Sequence, residues 1–307
     1  MMKKKLLILF FASLLVLSGC SNDDDNPGIL TTAFYGGTDG VSVDFEEIAP
    51  PDQFDSGEEI PVAVVLRNKG EYSIVAGNAK ARIYGINTNT FSLSSDYEET
   101  MSILRGKGEF NIDGGEQEIS FGNLKYDEEI INSRDFTIRA KACYPYQTKT
   151  EIPVCIKTSR SEETGEGICS TSEEKVVEGS VSSAPIQVTS VKETLRGSNQ
   201  VRFDMTIENK GAGNVYSNEA TCESLEDDIL RLNQENKILL EVINPDGISC
   251  SFRTGEESNR GIIELDNGKK IVSCTLETDD TYEDNLRLTL SYMYTTTTSK
   301  QITIYEV

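Results

Sequence analysis

The chain contains no histidine and no tryptophan among its 307 residues. The missing histidine removes the usual general base of serine and cysteine hydrolases and the commonest ligand of zinc. The missing tryptophan weakens a carbohydrate-stacking role, although tyrosine can also stack. Paired carboxylates or a Ser–Lys pair remain as catalytic options, but the sequence shows no motif for either. We therefore expect a protein that is not an enzyme and that holds no metal and no cofactor.

Basic side chains are scarce, with 29 Lys and Arg against 51 Asp and Glu and a net charge of −22. Three of the lysines lie within the first five residues, so the rest of the chain carries 26 basic side chains and a net charge of −25. Such a surface repels nucleic acid and anionic lipid head groups. A nucleic-acid partner is therefore not expected. The Asn-x-Ser/Thr sequon is also absent, so N-linked glycans are not expected either.

The first twenty residues have the pattern of an export signal. A basic start, Lys3–Lys5, precedes an apolar run of 12 residues, Leu6–Leu17, which is shorter than the roughly 20 residues of a bilayer-spanning helix. The closing Leu17–Cys20 (Leu-Ser-Gly-Cys) resembles the lipobox of prokaryotic lipoproteins, in which the cysteine becomes the lipid-bearing first residue. An ordinary signal peptide is the alternative. We expect residues 1–19 to be the signal peptide and the mature protein to be exported and anchored to the outer face of the cell membrane through Cys20.

A short tether and a strand-rich region follow the expected anchor. Residues 20–35 begin with Ser21–Pro27, which is polar and acidic and has the composition of a flexible spacer. Beyond it, apolar residues alternate with a period of two or form strand-length runs such as Ile60–Leu66. The one helix candidate is Ser224–Glu235, in which Ser224 is the expected cap. Leu225, Ile229 and Leu232 would form one apolar face of this helix. The pattern predicts an all-β fold.

Six cysteines follow the expected lipidation site, and an even number in an exported chain favours disulfides. Six thiols allow many pairings, so these are preferences among open alternatives. Cys250 and Cys274 flank a hairpin-like segment with an Asp-Asn-Gly turn at 266–268, and we prefer a bond between them. Cys155 and Cys169 bracket a polar loop and form the second preferred pair. Cys143 and Cys222 are the pair that remains.

Two motifs recur in the same order in the two halves of the chain. A strand ending in Asn-Lys-Gly occurs at Asn68–Gly70 and again at Asn209–Gly211. A Tyr-x-Tyr pair, followed by a Thr-rich turn and a second strand, occurs at Tyr144–Tyr146 and at Tyr292–Tyr294, which lie 76 and 83 residues after the respective asparagines. Recurrence of two unrelated features at similar spacing indicates a tandem duplication.

Each motif suggests a local structure. The glycine of Asn-Lys-Gly is expected to take a positive φ that ends the strand. The tyrosines are expected to pack a sandwich edge with their hydroxyl groups at the surface, the alternative being a ladder on which a ligand stacks. Thr295–Ser299 is expected to be a β-prone turn, the alternative being an O-glycosylation cluster.

The boundary between the halves falls in Ser180–Pro185, which is small, polar and ends in proline. We expect residues 36–180 and 184–307 to form two tandem β-sandwiches. The strand motif resembles that of the immunoglobulin-like domains of prokaryotic surface proteins related to the CARDB cell-adhesion domain, and the chain looks most like tandem lipoproteins of that type from archaea. The resemblance covers most of residues 36–307 and implies an immunoglobulin-like fold and a surface location, with no catalytic residue. The matching positions are Val64, Leu66, Asn68 and Gly70, and Met205, Ile207, Asn209 and Gly211.

These features together predict a lipid-anchored cell-surface protein with a structural, adhesive or protein-binding role. Its exposed loops or edge strands would meet a surface protein or another envelope partner that the sequence does not identify. The alternative is a solute- or ligand-binding lipoprotein of a transport system, although such proteins are usually larger α/β proteins with a cleft. A hydrolase with clustered carboxylates is disfavoured by the missing histidine.

Overall fold

The computed structural model describes residues 32–158, 169–171, 173–197, 199–252 and 258–307. The expected signal peptide, the lipidated Cys20 and most of the tether 20–35 lie outside the described residues. Strands dominate the described ranges, and the all-β fold predicted from the sequence is confirmed. In chain order the strands are β1 Val41–Phe45, β2 Gln53–Asp55, β3 Ile60–Asn68, β4 Lys80–Tyr84, β5 Glu98–Glu99, β6 Glu116–Leu124, β7 Ser133–Lys149, β8 Ile152–Ile156, β9 Ile186–Leu195, β10 Gln200–Asn209, β11 Asn214–Ser217, β12 Lys237–Asn244, β13 Ser249–Cys250, β14 Arg260–Glu264, β15 Lys269–Glu277 and β16 Tyr282–Tyr305.

The strands form two small sheets and one large sheet. The small sheets have the orders β1-β3-β6 and β13-β15-β10-β9, so each contains one copy of the strand that ends in Asn-Lys-Gly. The nine-stranded sheet has the order β14-β12-β16-β7-β4-β5, with β11, β2 and β8 also paired to β16. Buried apolar side chains from all three sheets form one core, which gives a β-sandwich arrangement.

The centre of the large sheet is a pair of long antiparallel strands. β7 pairs with β16 from Ser133 opposite Tyr305 to Lys149 opposite Thr289, and β8 continues along β16 to Ile156 opposite Tyr282. Residues 133–156 therefore follow β16 over its full length, and we call these paired strands the spine. The predicted Thr-rich turns after the Tyr-x-Tyr pairs, including Thr295–Ser299, are wrong, because β7 and β16 continue through them as paired strands. Threonine is β-branched and favours strands, so the Thr-rich run continues β16.

The spine connects the two repeated halves, residues 36–180 and 184–307. The middle of β7 pairs with β4 of the first half at residues 139–143, and β16 pairs with β12 of the second half at residues 287–291. The end of β16 then pairs with β2 of the first half, whereas β8 pairs with the start of β16. The first half is therefore completed by the end of β16, which pairs with β2, and the second half is completed by β8, which pairs with the start of β16. Residues 32–307 form one compact unit.

The helical excursion lies where the sequence predicted it, but its cap and its exposed face differ. It consists of a 3-10 turn, Ser224–Glu226, and α1, Asp228–Gln234. The cap is Asp227, whose carboxylate accepts hydrogen bonds from the first-turn N–H groups, rather than Ser224. Ile229 and Leu232 are exposed, so the predicted apolar face does not pack on the core.

The Asp-Asn-Gly turn at 266–268 is present, but it does not form a hairpin. Asn267 and Gly268 both have positive φ angles, 49° and 76°, as a tight turn of this composition requires. The strands that it joins belong to different sheets, because β14 pairs with β12 and β15 pairs with β10 and β13. The turn therefore carries the chain from the large sheet to a small one.

Candidate functional site

The two repeated motifs form one hydrogen-bonded unit in the first half. β3 ends at Asn68, whose Oδ1 accepts hydrogen bonds from the Gly70 N–H at 3.2 Å and from the Tyr146 hydroxyl at 3.0 Å. Its Nδ2 donates to the carbonyls of Tyr72 at 2.7 Å and Leu104 at 3.2 Å. Because an amide both accepts and donates, one asparagine connects the strand end, its loop and the spine.

The second half repeats this unit. Oδ1 of Asn209 accepts hydrogen bonds from the Gly211 N–H at 3.2 Å and from the Tyr294 hydroxyl at 3.0 Å. Its Nδ2 donates to the Gly213 carbonyl at 3.0 Å, and the Gly213 N–H donates to the Tyr294 hydroxyl at 2.9 Å. The two motifs recur together because each copy of the first contacts the second.

The glycine in each unit is required by close packing. Neither Gly70 nor Gly211 has a positive φ, so that prediction is wrong. A Cβ added to Gly70 would overlap the Tyr146 hydroxyl and come within 2.6 Å of the Ser183 carbonyl oxygen. A Cβ at Gly211 would overlap the Tyr294 hydroxyl in the same way. The glycine therefore leaves room for the tyrosine that bonds to the asparagine two residues earlier.

Four tyrosine rings pack together at the middle of the spine. Tyr146 lies opposite Tyr292 and Tyr144 lies opposite Tyr294, with neighbouring ring centroids 5.7–6.3 Å apart. All four side chains are buried, so the prediction of surface hydroxyl groups is wrong. The four tyrosines are at most 2% exposed, which disfavours a role as a ligand-stacking ladder, and the cluster packs the two halves together.

The remaining two tyrosine hydroxyl groups also have internal partners. The Tyr144 hydroxyl bonds to the backbone N–H and carbonyl of Val41, both at 3.1 Å. The Tyr292 hydroxyl lies 3.1 Å from Oγ1 of Thr148 and accepts the Ile186 N–H at 3.4 Å. Burial raises the pKa of both phenols well above the usual value. These groups stay protonated and serve as structural donors.

One stretch of β16 has no strand on its outer side among the described residues. β11 pairs with β16 as far as Thr295, and β2 pairs with it from Thr303 onward. Between these points, residues 296–302 pair only with β7. We call this stretch the open edge.

In the part of the chain that the structure describes, the backbone of the open edge presents hydrogen-bonding groups that no other strand pairs. The Thr303 N–H donates to the Asp52 carbonyl at 2.8 Å. The Thr303 N–H therefore points outward, away from β7. N–H and C=O groups of successive strand residues point to opposite edges, so Thr297, Ser299 and Gln301 also direct theirs outward. The side chains of these three residues are exposed.

A groove of about 390 Å³ lies at one end of the open edge, between β1 and Thr296–Thr298. Lys69 and Lys210, the lysines of the two Asn-Lys-Gly motifs, both line it. Lys210 forms an ion pair with Glu208 at 2.7 Å. Hydrogen bonds from Lys210 and Lys269 lower the pKa of Glu208 to about 2. The groove therefore combines strand-edge backbone with two ammonium groups.

The six cysteines of the described ranges form three disulfides, in the pairs that were preferred from the sequence. They are Cys143–Cys222, Cys155–Cys169 and Cys250–Cys274. The first joins β7 to the segment before α1, and so connects the two halves. Beside it, Glu226 accepts hydrogen bonds from the Tyr97 hydroxyl at 2.7 Å and from Lys141 Nζ at 2.8 Å. Covalent and polar contacts therefore both support the junction.

A buried carboxyl group lies beside the Cys155–Cys169 disulfide. The Glu193 side chain on β9 has no exposed surface, and its Oε1 accepts the Cys155 N–H at 2.7 Å. Its Oε2 lies 3.3 Å from Lys175 Nζ. Burial raises the pKa of Glu193 to about 7, against the opposing effects of the Cys155 N–H, Lys175 and Lys157.

Sequence reasoning missed Glu193, although a signal was present. The alternation Val191-x-Glu193-x-Leu195 puts a carboxyl group in the apolar phase of a strand, and all three side chains are buried. A cavity of about 450 Å³ lies nearby and is lined by Cys155, Lys175 and several carboxylates. A buried group with a shifted pKa beside a cavity is a general mark of functional sites and also of structural ion pairs.

Two kinds of site are absent from the described residues. No group of three His, Cys, Asp or Glu side chains in that part of the chain is arranged to hold a metal ion. No helix there is long and apolar enough to cross a bilayer.

No family model and no curated protein sequence matches the chain. Among solved structures, one match is the secreted serine protease VesC from Vibrio cholerae, with 10% sequence identity and a TM-score of 0.19. That match covers 85% of this chain and 51% of the protease chain, so this chain spans about half the length of that structure. A likeness with so low a TM-score carries no argument about fold or function.

Proposed function

We propose that the protein is a non-catalytic lipoprotein of the cell surface that binds a partner by accepting a short strand at the open edge. The lipobox-like sequence ending at Cys20 supports export and lipid anchoring. The three disulfides support an oxidising location outside the cytoplasm. The immunoglobulin-like and CARDB-like assignment rests on the strand motif around Asn68 and Asn209.

The observation that carries this proposal is the open edge itself. An extended peptide added there would bond to the outward groups of Thr297, Ser299 and Gln301, as in other cases of strand addition. The edge of β6 shows how the same chain covers a strand elsewhere. The Gln117 side chain accepts the Ser102 N–H at 3.2 Å and donates to its carbonyl at 2.6 Å, which holds another segment against that edge.

The neighbours of the open edge limit the kind of partner. β11 and β2 flank it in the same sheet, which leaves the length of residues 296–302 for an added strand. The long β16 of a second copy would collide with both flanking strands if it entered side by side. The open edge therefore suits a short extended segment, such as a chain end or a loop, better than self-association.

Site-specific photo-crosslinking on intact cells tests the binding role. A photoreactive residue at Ser299 should give a discrete adduct with another protein. The same residue at Glu241 is the control, because that side chain is 46% exposed on a strand that is paired on both sides. Thr297→Pro removes an outward N–H without removing a bond to β7, so it should abolish the adduct. Equal adducts from both positions, or an adduct insensitive to Thr297→Pro, would contradict the proposal.

Mass spectrometry of the protein extracted from membranes tests the anchor separately. The proposal expects a mature chain that begins at lipid-modified Cys20 and contains three intact disulfides. A chain that begins elsewhere and carries no lipid would overturn the anchor and leave the binding test unaffected.

A further inference from the structure

A group of strongly exposed apolar side chains lies on residues 101–112. Phe110 is 96% exposed and Met101 is 90% exposed, and Ile103 and Ile112 are more than half exposed. Val75, which is 61% exposed, lies next to Ile74, and Ile74 exchanges backbone hydrogen bonds with Leu104 of this segment at 3.0 and 2.9 Å. Single exposed apolar residues are ordinary, but several on one segment indicate an interaction surface.

The loop that carries Phe110 is held in a defined shape. The Gly115 N–H donates to the Arg105 carbonyl at 2.7 Å and closes the loop at its base. Gly108 and Asn111 exchange backbone hydrogen bonds at 3.0 and 2.9 Å, which puts Phe110 in the tight turn at the tip. We call residues 105–115 the tip loop. Because the backbone that carries Phe110 is already ordered, the tip loop loses little conformational entropy when it binds.

The chain enters the described fold beside this loop. The Tyr35 and Gly36 N–H groups donate to the Glu71 carboxylate at 3.0 and 3.1 Å. The neighbouring Gly70 carbonyl accepts the Lys107 N–H at 2.7 Å, at the base of the tip loop. Adjacent residues thus hold the entering chain and the tip loop, and Phe34 and Lys107 line the same cavity.

The expected anchor is close to this entry point along the chain. Eleven residues, 21–31, lie between the lipid position and the start of the described fold, and they span at most about 40 Å when fully extended. An anchor on so short a tether keeps the tip loop at a high effective concentration near the membrane. A weak affinity of a few side chains is then enough for contact.

We propose that the tip loop rests on the outer surface of the lipid bilayer, with Phe110 and Ile112 at the boundary between head groups and acyl chains. This inference rests on the proposed anchor at Cys20. Aromatic and aliphatic side chains stabilise such shallow insertion, whereas the charged side chains of Arg105, Lys107, Glu109 and Asp113, which sum to zero, limit its depth. The contact would orient the molecule on the membrane.

The absence of tryptophan makes the test direct, since Phe110→Trp introduces the only indole. The chain from Cys20 onward would be coupled through that thiol to a maleimide lipid in phosphatidylcholine vesicles, with or without brominated acyl chains. Ile229→Trp is the matched control, because that residue is 71% exposed on α1 of the second half. Both substitutions are at exposed positions, so folding should be retained.

The expected result is at least about twofold quenching of the Phe110→Trp emission by the brominated chains, with little change for Ile229→Trp. The proposal would be overturned if Phe110→Trp is not quenched, and that outcome would favour a protein partner for the tip loop. Equal quenching at both positions would also overturn it. Because coupling replaces natural lipidation, an unlipidated Cys20 in cells would overturn the anchor without altering this readout.

Discussion

The Tyr146 hydroxyl donates a 3.0 Å hydrogen bond to Oδ1 of Asn68, a residue 78 positions earlier in the chain. The bond connects the end of a strand in a small sheet to the centre of the spine. Tyr294 and Asn209 make the same 3.0 Å bond in the second half. The motif that recurs in the sequence is thus a contact between sheets, and its repetition reflects two copies of one packing arrangement.

Removing one hydroxyl of this unit should weaken the fold by a modest amount. In Tyr146→Phe, Asn68 loses one buried partner and keeps its bond to the Gly70 N–H. We expect the free energy of unfolding, measured in urea, to fall by about 1–2 kcal/mol. Tyr305→Phe, at an exposed position, should change it by less than about 0.5 kcal/mol. Equal effects of the two substitutions would show that the hydroxyl bond does not stabilise the fold.

Adding a methyl group to the glycine of the motif should cost more. Gly70→Ala puts a Cβ against the Tyr146 hydroxyl and the Ser183 carbonyl, so the loop or the ring must shift. The expected loss of unfolding free energy is about 2–3 kcal/mol. Gly108→Ala is the control, since no atom lies within 4 Å of its added Cβ and its φ is not positive. A tolerated Gly70→Ala would contradict the close packing of the motif.

The disulfide between the halves should contribute more than the one within a half. Cys143–Cys222 closes a loop with a sequence separation of 79, against 14 for Cys155–Cys169. In the chain-entropy model these loops correspond to about 4.5 and about 3 kcal/mol. Replacing both cysteines of each pair by alanine, and comparing thermal midpoints, checks the order. A larger loss for the shorter loop would contradict it.

The buried carboxyl group should make stability depend on pH. The pKa of Glu193 is about 7 in the folded protein and lower in the unfolded chain, so the folded state binds more protons between these values. The stabilising effect is complete below the unfolded pKa and is lost as the pH rises through about 7. The free energy of unfolding should therefore fall between pH 5 and pH 8, by about 3 kcal/mol at most.

Glu193→Gln is the matched variant for this effect. Its amide oxygen can still accept the Cys155 N–H, but it does not titrate. Urea unfolding between pH 5 and pH 8 should give a nearly constant free energy for the variant and a falling one for the natural protein. Parallel curves would show that Glu193 does not control the pH dependence.

Much of the architecture could be predicted from local pattern. Alternation in β1 and the apolar run of β3 indicated strands, and the recurrence of Asn-Lys-Gly with Tyr-x-Tyr indicated the duplication. Two of the cysteine pairs were preferred from their sequence neighbourhoods, and the third, Cys143 with Cys222, remained by elimination. Each of these signals is carried by residues close together in the chain, where periodicity and turn composition act directly.

The features that were missed depend on contacts between distant residues. A Thr-rich run is compatible with a turn or with a strand, and only its pairing with β7 decides between them. The tyrosine hydroxyl groups are buried because Asn68, Asn209, Val41 and Thr148 provide partners from other elements. The open edge is likewise defined by where β11 and β2 stop, which no local sequence signal records.

The shared spine should make the two repeated halves one cooperative unit. Each half would lack part of its sheet if the other unfolded, because β8 and the end of β16 cross between them. Differential scanning calorimetry of residues 32–307 tests this most directly. One transition is expected, with equal calorimetric and van't Hoff enthalpies, and either Tyr146→Phe or Tyr294→Phe should shift it as a whole. Two transitions, each shifted by only one of these substitutions, would contradict it.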